Sequence, residues 1–414
     1  MTEQGGCQDK LCLGCSSVLP EPFIDLGQMP LANAFIRPED AARPEPTFPL
    51  AIAYCPVCHL VQLTEQVPPK QLFTEYIYFS SYSESWLSHA RRMADALIQR
   101  LHLNSESRVL EIGSNDGYLL QYFERLGIPD LGVEPATNIA REAECRGIPT
   151  LHRFFGSGLV EEILSSFGKA DLVIGNNVLA HVAPINEFLK AVKSCLKPTG
   201  VAVFEFPHVK EMLDRIEFDT IYHEHVFYFS LSAIKIVVER TELEVFDVAR
   251  QPVHGGSLRV FLQGKGMRPV TAAVQGMLAD EARVGLTGPD RYVLFNKDVA
   301  RSKERLLSLL EGLKAAGKRL AGYGAPAKGT ILLNYCSIGT DFLMFTVDRN
   351  PHKQGRLTPG MHLPIRPAED LLVAMPDYTV ILPWNIADEV LEQQAEYRRR
   401  GGRFIIPIPD AKLV

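Results

Sequence analysis

From Arg108 onward the chain alternates short β-prone apolar runs with helix-like stretches, and this alternation restricts the fold more than any other property of the sequence. Arg108-Val109-Leu110-Glu111-Ile112 reads as a strand, Gly113-Ser114-Asn115-Asp116-Gly117 as a turn, and residues 118–126 as a helix. The pattern returns at Leu131-Gly132-Val133-Glu134, at 171–175 and at 200–205. Repeated βα units predict a mainly parallel sheet with helices on both faces, and such sheets take ligands at the carboxyl ends of their strands. A second unit of this kind begins at 319–324, runs into Ala325-Pro326-Ala327-Lys328-Gly329 at a helix start, and continues through strands at 342–348, 378–382 and 403–406, with a helix over 387–398.

The 414 residues suffice for two to four domains, and 46% hydrophobic with 22% charged residues is a globular mixture. With 43 Lys and Arg against 49 Asp and Glu, a net charge of −6 and no basic block, a nucleic-acid-binding surface is not expected. The N-terminus lacks a signal-peptide pattern and no apolar run is long enough for a membrane span, so a cytoplasmic protein without a membrane partner is expected. Eight cysteines are too sparse for a disulfide scaffold, and their pairing near one end suggests a metal.

Cys12-Leu13-Gly14-Cys15 and Cys55-Pro56-Val57-Cys58 are two CxxC knuckles joined by a long loop rich in Pro and Gly. Each turns two sulfurs toward one point, and four thiolates close a tetrahedron suited to zinc with no position left open for chemistry. The expected site is therefore structural. Cys7 is an alternative to Cys12, and His59 to Cys58, but knuckle spacing favours the four. The metal is expected to supply much of the folding energy of residues 1–68.

Glu111-Ile112-Gly113-Ser114-Asn115-Asp116-Gly117 puts glycines where backbone must approach a ligand closely, and it opens a helix whose N-terminus can meet a carboxylate. Glu134 ends the next strand, where an acid can hold both hydroxyls of a ribose. The loop is neither the G-x-G-x-x-G of dinucleotide sites nor a phosphate loop with its Lys-Ser/Thr, so S-adenosylmethionine is expected ahead of NAD or ATP.

These features, taken in order with Gly132-Val133-Glu134-Pro135, Asn176-Asn177 and His181, Tyr222-His223-Glu224-His225, Pro252-Val253-His254-Gly255-Gly256, Gly322-Tyr323-Gly324-Ala325-Pro326-Ala327-Lys328 and Arg356-Leu357-Thr358-Pro359-Gly360, resemble the nucleotide-sugar C-methyltransferases that build branched deoxysugars. The resemblance covers nearly the whole chain. It implies an α/β protein of three parts: a four-cysteine zinc-binding domain at 1–68, a class I Rossmann-like methyltransferase domain at 69–265, and a second Rossmann-like domain at 266–414 that holds the sugar nucleotide. The cofactor residues it implies are Glu111, Gly113, Ser114, Asn115, Gly117, Glu134, Pro135, Asn176 and Asn177.

Joining a methyl group to carbon requires a carbon nucleophile, which a sugar supplies where a neighbouring ketone acidifies a C–H bond. A base and a group to hold the enolate oxygen are needed. His225 is the expected base because imidazole titrates nearest neutral pH, with Glu224 orienting it or polarising the substrate. Tyr222, Tyr76 and His181 are candidate donors to the oxygen. If the stretch is extended, His223 points the other way and is structural. The aromatic and hydroxyl-rich residues 75–82 fit either a lid over the cofactor or a linker packed on the sheet, and the resemblance implies the lid, with Tyr76 and Tyr78 near the sugar. In the last domain Lys328, Lys353 and Arg356 are expected to receive a diphosphate, with Tyr323 in the same glycine turn and His254 adding a contact where the two domains meet.

The expectation is thus S-adenosylmethionine-dependent C-methylation of a nucleotide-linked 4-keto deoxysugar, with C3 and thymidine diphosphate preferred and C5 and guanosine diphosphate left open. A monomer is the default. Two other readings use the same features: a zinc-ribbon nucleic-acid binder or metabolite-sensing regulator, which the missing basic patch disfavours, and methylation of oxygen, nitrogen or RNA, against which the His/Glu/Tyr cluster weighs.

Overall fold

A computed structural model describes residues 10–73 and 79–414. Among them, three sheets account for the architecture. In the seven-stranded middle sheet, Val109–Ile112 is paired in parallel with Asp130–Val133 on one side and Ala170–Asn176 on the other. Thr150–Leu151 extends the first side and Leu196–Pro207 the second, again in parallel. Ser257–Gly264 then inserts antiparallel between Leu196–Pro207 and Leu243–Gln251. This is the mainly parallel sheet that the repeats predict, in the class I Rossmann-like form that the resemblance implies. Its inner strands are buried on both faces, as the unbroken apolar runs Val109-Leu110 and Leu172-Val173-Ile174 require. Strand order reverses between Val109–Ile112 and Ala170–Asn176, so the loops leaving their carboxyl ends part and form a crevice.

The last sheet repeats the plan. Leu320–Tyr323 lies between Thr346–Asp348 and Tyr378–Ile381, flanked in parallel by Ile365–Pro367 and Arg403–Ile406, with Lys412–Leu413 antiparallel at one edge. In front, Ile24–Pro30, Thr47–Tyr54 and Val61–Leu63 form an antiparallel sheet whose fourth strand, Phe227–Tyr228, comes from the middle of the chain. Among the described residues, the front segment has no core separate from those of its neighbours. Leu50 and Ile52 pack with Tyr292, Phe295 and Ile331 of the last domain, while Ala53, Cys55 and Leu60 join the core of the middle one. A segment this small buries too little apolar surface to stand alone.

The helix Glu84–Leu101 leads into the middle sheet. Ser83 caps it by accepting from the Trp86 N–H at 3.3 Å, and Trp86, His89, Ala90, Met93, Ala94 and Leu97 make its buried stripe. Beneath it, Glu205 is bonded to His89 at 2.6 Å and to Arg259 at 2.8 Å, a buried ion cluster tying the helix to the sheet.

Three expected elements are shorter than the sequence suggests. Within 118–126 only Gln121–Glu124 is α-helical, because Tyr122 and Phe123 close tight bonds on the Leu119 and Leu120 carbonyls and Gly127 turns the chain at φ +67°. Within 342–348 only Thr346–Asp348 pairs, since Phe342 and Leu343 are held in a turn on the Gly339 carbonyl. The helix over 387–398 breaks at Gln394 into Ala387–Gln393 and Ala395–Arg399. Among the described residues, no helix is long and apolar enough to cross a membrane.

Candidate active site

Cys12, Cys15, Cys55 and Cys58 bring their ligand atoms within 4.8 Å of one another. Each knuckle is wound by its own backbone, with the Ser16 N–H on the Cys12 carbonyl and the His59 N–H on the Cys55 carbonyl, both at 2.8 Å. Hydrogen bonding with Cys55 and burial push the Cys12 thiol up to about 12, while the same bond holds Cys55 well below the ordinary thiol range. Four sulfurs this close are suited to sharing one cation. His59 is turned elsewhere, its Nδ1 paired with the Tyr54 hydroxyl at 2.7 Å. Cys7 lies outside the described residues.

The crevice of the middle sheet opens into a cavity of about 480 Å³, a size that suits a small-molecule site. Gly113, Asn115, Glu134, Pro135, Asn176 and Asn177 contribute to its wall. Gly113 has φ +66°, and a side chain there would meet Val178 at 2.6 Å, so the position admits glycine alone. The Glu134 carboxylate accepts from the backbone N–H groups of Asn115 at 3.1 Å and Ala136 at 2.8 Å, which fixes its orientation and leaves lone pairs for hydroxyl donors. Burial pushes it up to about 7, against the pull of those two N–H groups.

Glu111, Ser114 and Gly117 do not reach this wall. Glu111 is buried beneath the loop near Tyr118, Ser114 packs against Gly132, and Gly117 turns at φ +78° beside Ile148. They shape the loop. The wall also contains Trp86, Tyr118, Phe154, Phe155 and Phe188, which sequence reasoning missed. The Phe-Phe pair shortly after the strand end at Leu151 is the one signal that points to any of them. Ser80 N–H donates to Asn115 at 2.9 Å and Ser81 N–H to Asp116 at 3.2 Å, strapping the segment before Glu84–Leu101 onto the glycine loop. Tyr76 and Tyr78 lie outside the described residues.

Residues 221–226 are not extended. A turn closed by the His225 N–H on the Tyr222 carbonyl brings the Tyr222 hydroxyl 2.8 Å from His225 Nε2. His225 Nδ1 lies 3.0 Å from the Thr220 carbonyl, which can only accept. Nδ1 therefore carries the hydrogen, and Nε2 accepts from the phenol. The His181 ring centre is 5.0 Å from that of His225, and its Nδ1 donates to the Glu224 carbonyl at 2.6 Å. Burial holds His181 down to about 4, so it is neutral at ordinary pH. Because His181 also lines the cavity, the Tyr222–His225 pair stands one ring away from it.

The Glu224 carboxylate is directed at the front domain, accepting from Asn33 Nδ2 at 2.7 Å. Burial pushes it up to about 7, opposed by Asn33 and by the charge of Lys353. His223 is buried with Nε2 3.3 Å from the Pro49 carbonyl and its ring edge-on to Phe48. The turn, and not strand alternation, separates it from His225.

In the last domain, Gly324 (φ +83°) lets the loop pass Pro383, which a side chain would meet at 2.5 Å. Lys328 stands at the start of the helix Ala327–Tyr335, its Nζ 4.7 Å over the Trp384 ring and close enough to act on the buried acids Glu217 and Asp219. Lys353 turns inward: its Nζ donates to the Ala325 carbonyl at 2.8 Å and its charge is felt by Glu224. Arg356 is half-buried in the next loop, and the Tyr323 hydroxyl is taken by Gln393 at 3.3 Å. His254 lies in the turn Val253–Gly255, its side chain outside what is described. The two lysines thus face the acids of residues 217–224, a grouping that sequence reasoning did not anticipate.

Three family models match the chain in succession: a putative zinc binding domain at 12–73, a methyltransferase domain at 86–248, and a C-methyltransferase C-terminal domain at 252–409. The C-methyltransferase NovU of Streptomyces niveus is 37% identical over 392 residues, covering 94% of this chain and 93% of NovU. This chain belongs to the C-methyltransferase family. The ubiquinone biosynthesis O-methyltransferase of Rhodopseudomonas palustris (strain TIE-1) is 30% identical over 151 residues, 31% of this C-methyltransferase and 59% of its own length. An S-adenosylmethionine-dependent methyltransferase from Clostridium acetobutylicum is a structural neighbour at TM-score 0.35 and 13% identity, covering 44% of this chain and 92% of its own.

The C-methyltransferase uses S-adenosylmethionine, which supplies an electrophilic methyl group, and the residues present fit it. Glu134 would hold the ribose hydroxyls on its outward lone pairs, and the aromatic wall suits a purine. His181, held neutral by burial, would add no positive charge to a cavity that takes a sulfonium. Cys12, Cys15, Cys55 and Cys58 would hold the zinc in a closed, structural shell.

Proposed function

We propose that this C-methyltransferase acts on the carbon beside the ketone of a nucleotide-linked 4-keto deoxysugar in branched deoxysugar biosynthesis, with C3 as the carbon and thymidine diphosphate as the carrier. The observation that carries this reading is the Tyr222–His225 pair, one ring from the cofactor cavity. Methylating carbon requires a C–H proton to be removed before attack, and so a base poised beside the methyl donor.

His225 is that base. With Nδ1 committed to the Thr220 carbonyl, Nε2 holds the lone pair and takes the α-proton once the substrate displaces the Tyr222 hydroxyl. The C–H electron pair becomes the ring double bond, and the carbonyl pair moves onto oxygen. Tyr222, released from Nε2, donates to that oxygen, as does Glu224 in its protonated form, where charge develops. S-adenosylmethionine held in the cavity would supply the methyl group to the nucleophilic carbon and would leave as S-adenosylhomocysteine. Lys328 and Arg356 are assigned to the diphosphate, with Tyr323 and His254 beside the nucleotide. Lys353, turned toward Ala325 and Glu224, is assigned to tuning Glu224 instead.

Mass spectrometry in heavy water tests this reading, using S-adenosylmethionine and thymidine-diphospho-4-keto-6-deoxy sugars with and without the C2 hydroxyl. A methyl gain with loss of the α-proton, both abolished in His225→Ala, is expected. Methyl gain with the α-proton retained would mean transfer to oxygen or nitrogen and would overturn the enolate mechanism.

A further inference from the structure

The loop that carries Tyr222, Glu224 and His225 is fastened to the zinc-binding domain at three points. His223 packs on the Pro49 carbonyl, Phe227–Tyr228 pairs with Val61–Leu63, and Asn33 donates to Glu224. The first seats the His223 ring and the second fixes backbone. The third fixes a titratable side chain beside the base, across 191 residues of sequence.

Asn33 is itself held from a third direction. Its tight turn is closed by the Ala34 N–H on the Leu31 carbonyl at 3.1 Å, and the adjacent Ala32 carbonyl accepts from Thr330 of the last domain at 2.9 Å. The backbone turn that carries Asn33 is therefore tied to the last domain, and its side chain reaches the middle one. Around Glu224 stand Lys353 from the last domain, His181 on its main-chain carbonyl, and His223 and His225 within the same loop. Among these, Asn33 makes the hydrogen bond to the carboxylate itself: the N–H donor selects its rotamer and, by pulling against the upward push of burial, keeps the group acidic enough to give up its proton near neutral pH.

We propose that Asn33 is a positioning residue for methyl transfer: by holding the Glu224 carboxylate in place, it makes the zinc-binding domain a working part of the active site. This rests on the role assigned to Glu224 above. Because the Asn33 turn is anchored by its backbone and by Thr330, replacing the side chain leaves the turn in place.

The test uses full-length, zinc-loaded protein carrying Asn33→Ala or Asn33→Asp. The titration of Glu224 is followed by infrared difference spectra against matched proteins that also carry Glu224→Gln, and kcat and KM are measured against pH with the keto sugar nucleotide. Losing the donor should raise the Glu224 titration by about one pH unit, and the added carboxylate of Asn33→Asp should raise it further. The value of kcat should fall roughly 10- to 100-fold while KM for S-adenosylmethionine stays within about two-fold. An unmoved Glu224 titration in both variants, or a moved titration with undiminished kcat, overturns the proposal. If the unmodified enzyme methylates no keto sugar, the substrate reading fails separately, and the infrared titration still decides whether Asn33 governs Glu224.

Discussion

The indole N–H of Trp384 donates to the buried carboxylate of Asp219 at 2.7 Å, joining residues 165 positions apart. Asp219 directly precedes Thr220, whose carbonyl fixes Nδ1 of His225. A donor in the last domain therefore bears on the tautomer and angle of the imidazole in the middle one.

Trp384→Phe removes that N–H and keeps most of the ring. Burial already pushes Asp219 up to about 6, and its Oδ1 has no partner among the described residues. The variant should lose about 1–2 kcal/mol of stability, read by denaturant unfolding, because a buried carboxyl is left unbonded. Single-turnover methyl transfer should slow by about ten-fold as the turn Phe218–Thr220 loosens.

Variants of the base cluster should separate by what they touch. His225→Ala and Tyr222→Phe should cut kcat by about 100-fold or more with little change in S-adenosylmethionine affinity, since neither residue is in the cavity wall. His181→Ala should weaken cofactor binding as well, because its ring forms part of that wall. Calorimetric titration with S-adenosylhomocysteine distinguishes the two classes, and equal losses of affinity in all three would contradict the geometry.

Removing the metal, or replacing Cys55 by Ser, should abolish the front domain's order while sparing much of cofactor binding. The cavity residues run from Pro69 onward, whereas the knot packs on Leu60 and through Thr47–Tyr54 supports the loop at His223. Hydrogen exchange should rise across residues 10–63 and 221–228, and methyl transfer should drop at least about ten-fold. Exchange confined to residues 10–20 would contradict this coupling.

Asp130 offers a pH test away from the chemistry. It is buried at the head of Asp130–Val133, and burial with help from Glu124 pushes it up to about 7. A carboxyl raised above its unfolded value contributes stability that is present at low pH, below its ordinary range near 4, and lost as pH rises through 7. Asp130→Asn should therefore be more stable than the parent by roughly 2–3 kcal/mol near pH 8, with the difference vanishing near pH 4. Thermal or urea unfolding at the two pH values decides it.

What could be read from the sequence was local. CxxC spacing and the βα period depend on neighbours within a few residues, which is why the thiol cluster and both Rossmann-like sheets follow from it. Local propensity overestimated the helix at 118–126 because the glycine loop tightens the chain before α-geometry begins. His223 and His225 are parted by a turn, to which the period-two alternation of strands does not apply. The contacts of Glu224 with Asn33 and of Asp219 with Trp384 join domains, and no periodicity within one segment carries such pairings.

The strand Phe227–Tyr228, paired with Val61–Leu63, gives the front sheet an edge it does not itself encode. A recombinant chimera that exchanges the front domain at a linear boundary would pair a foreign edge with a resident strand that begins just past His225. The heritable module is discontinuous. A graft that keeps the loop of Tyr222 and His225 in register has to carry residues 221–229 together with the four-cysteine segment, as one unit read from two places in the gene.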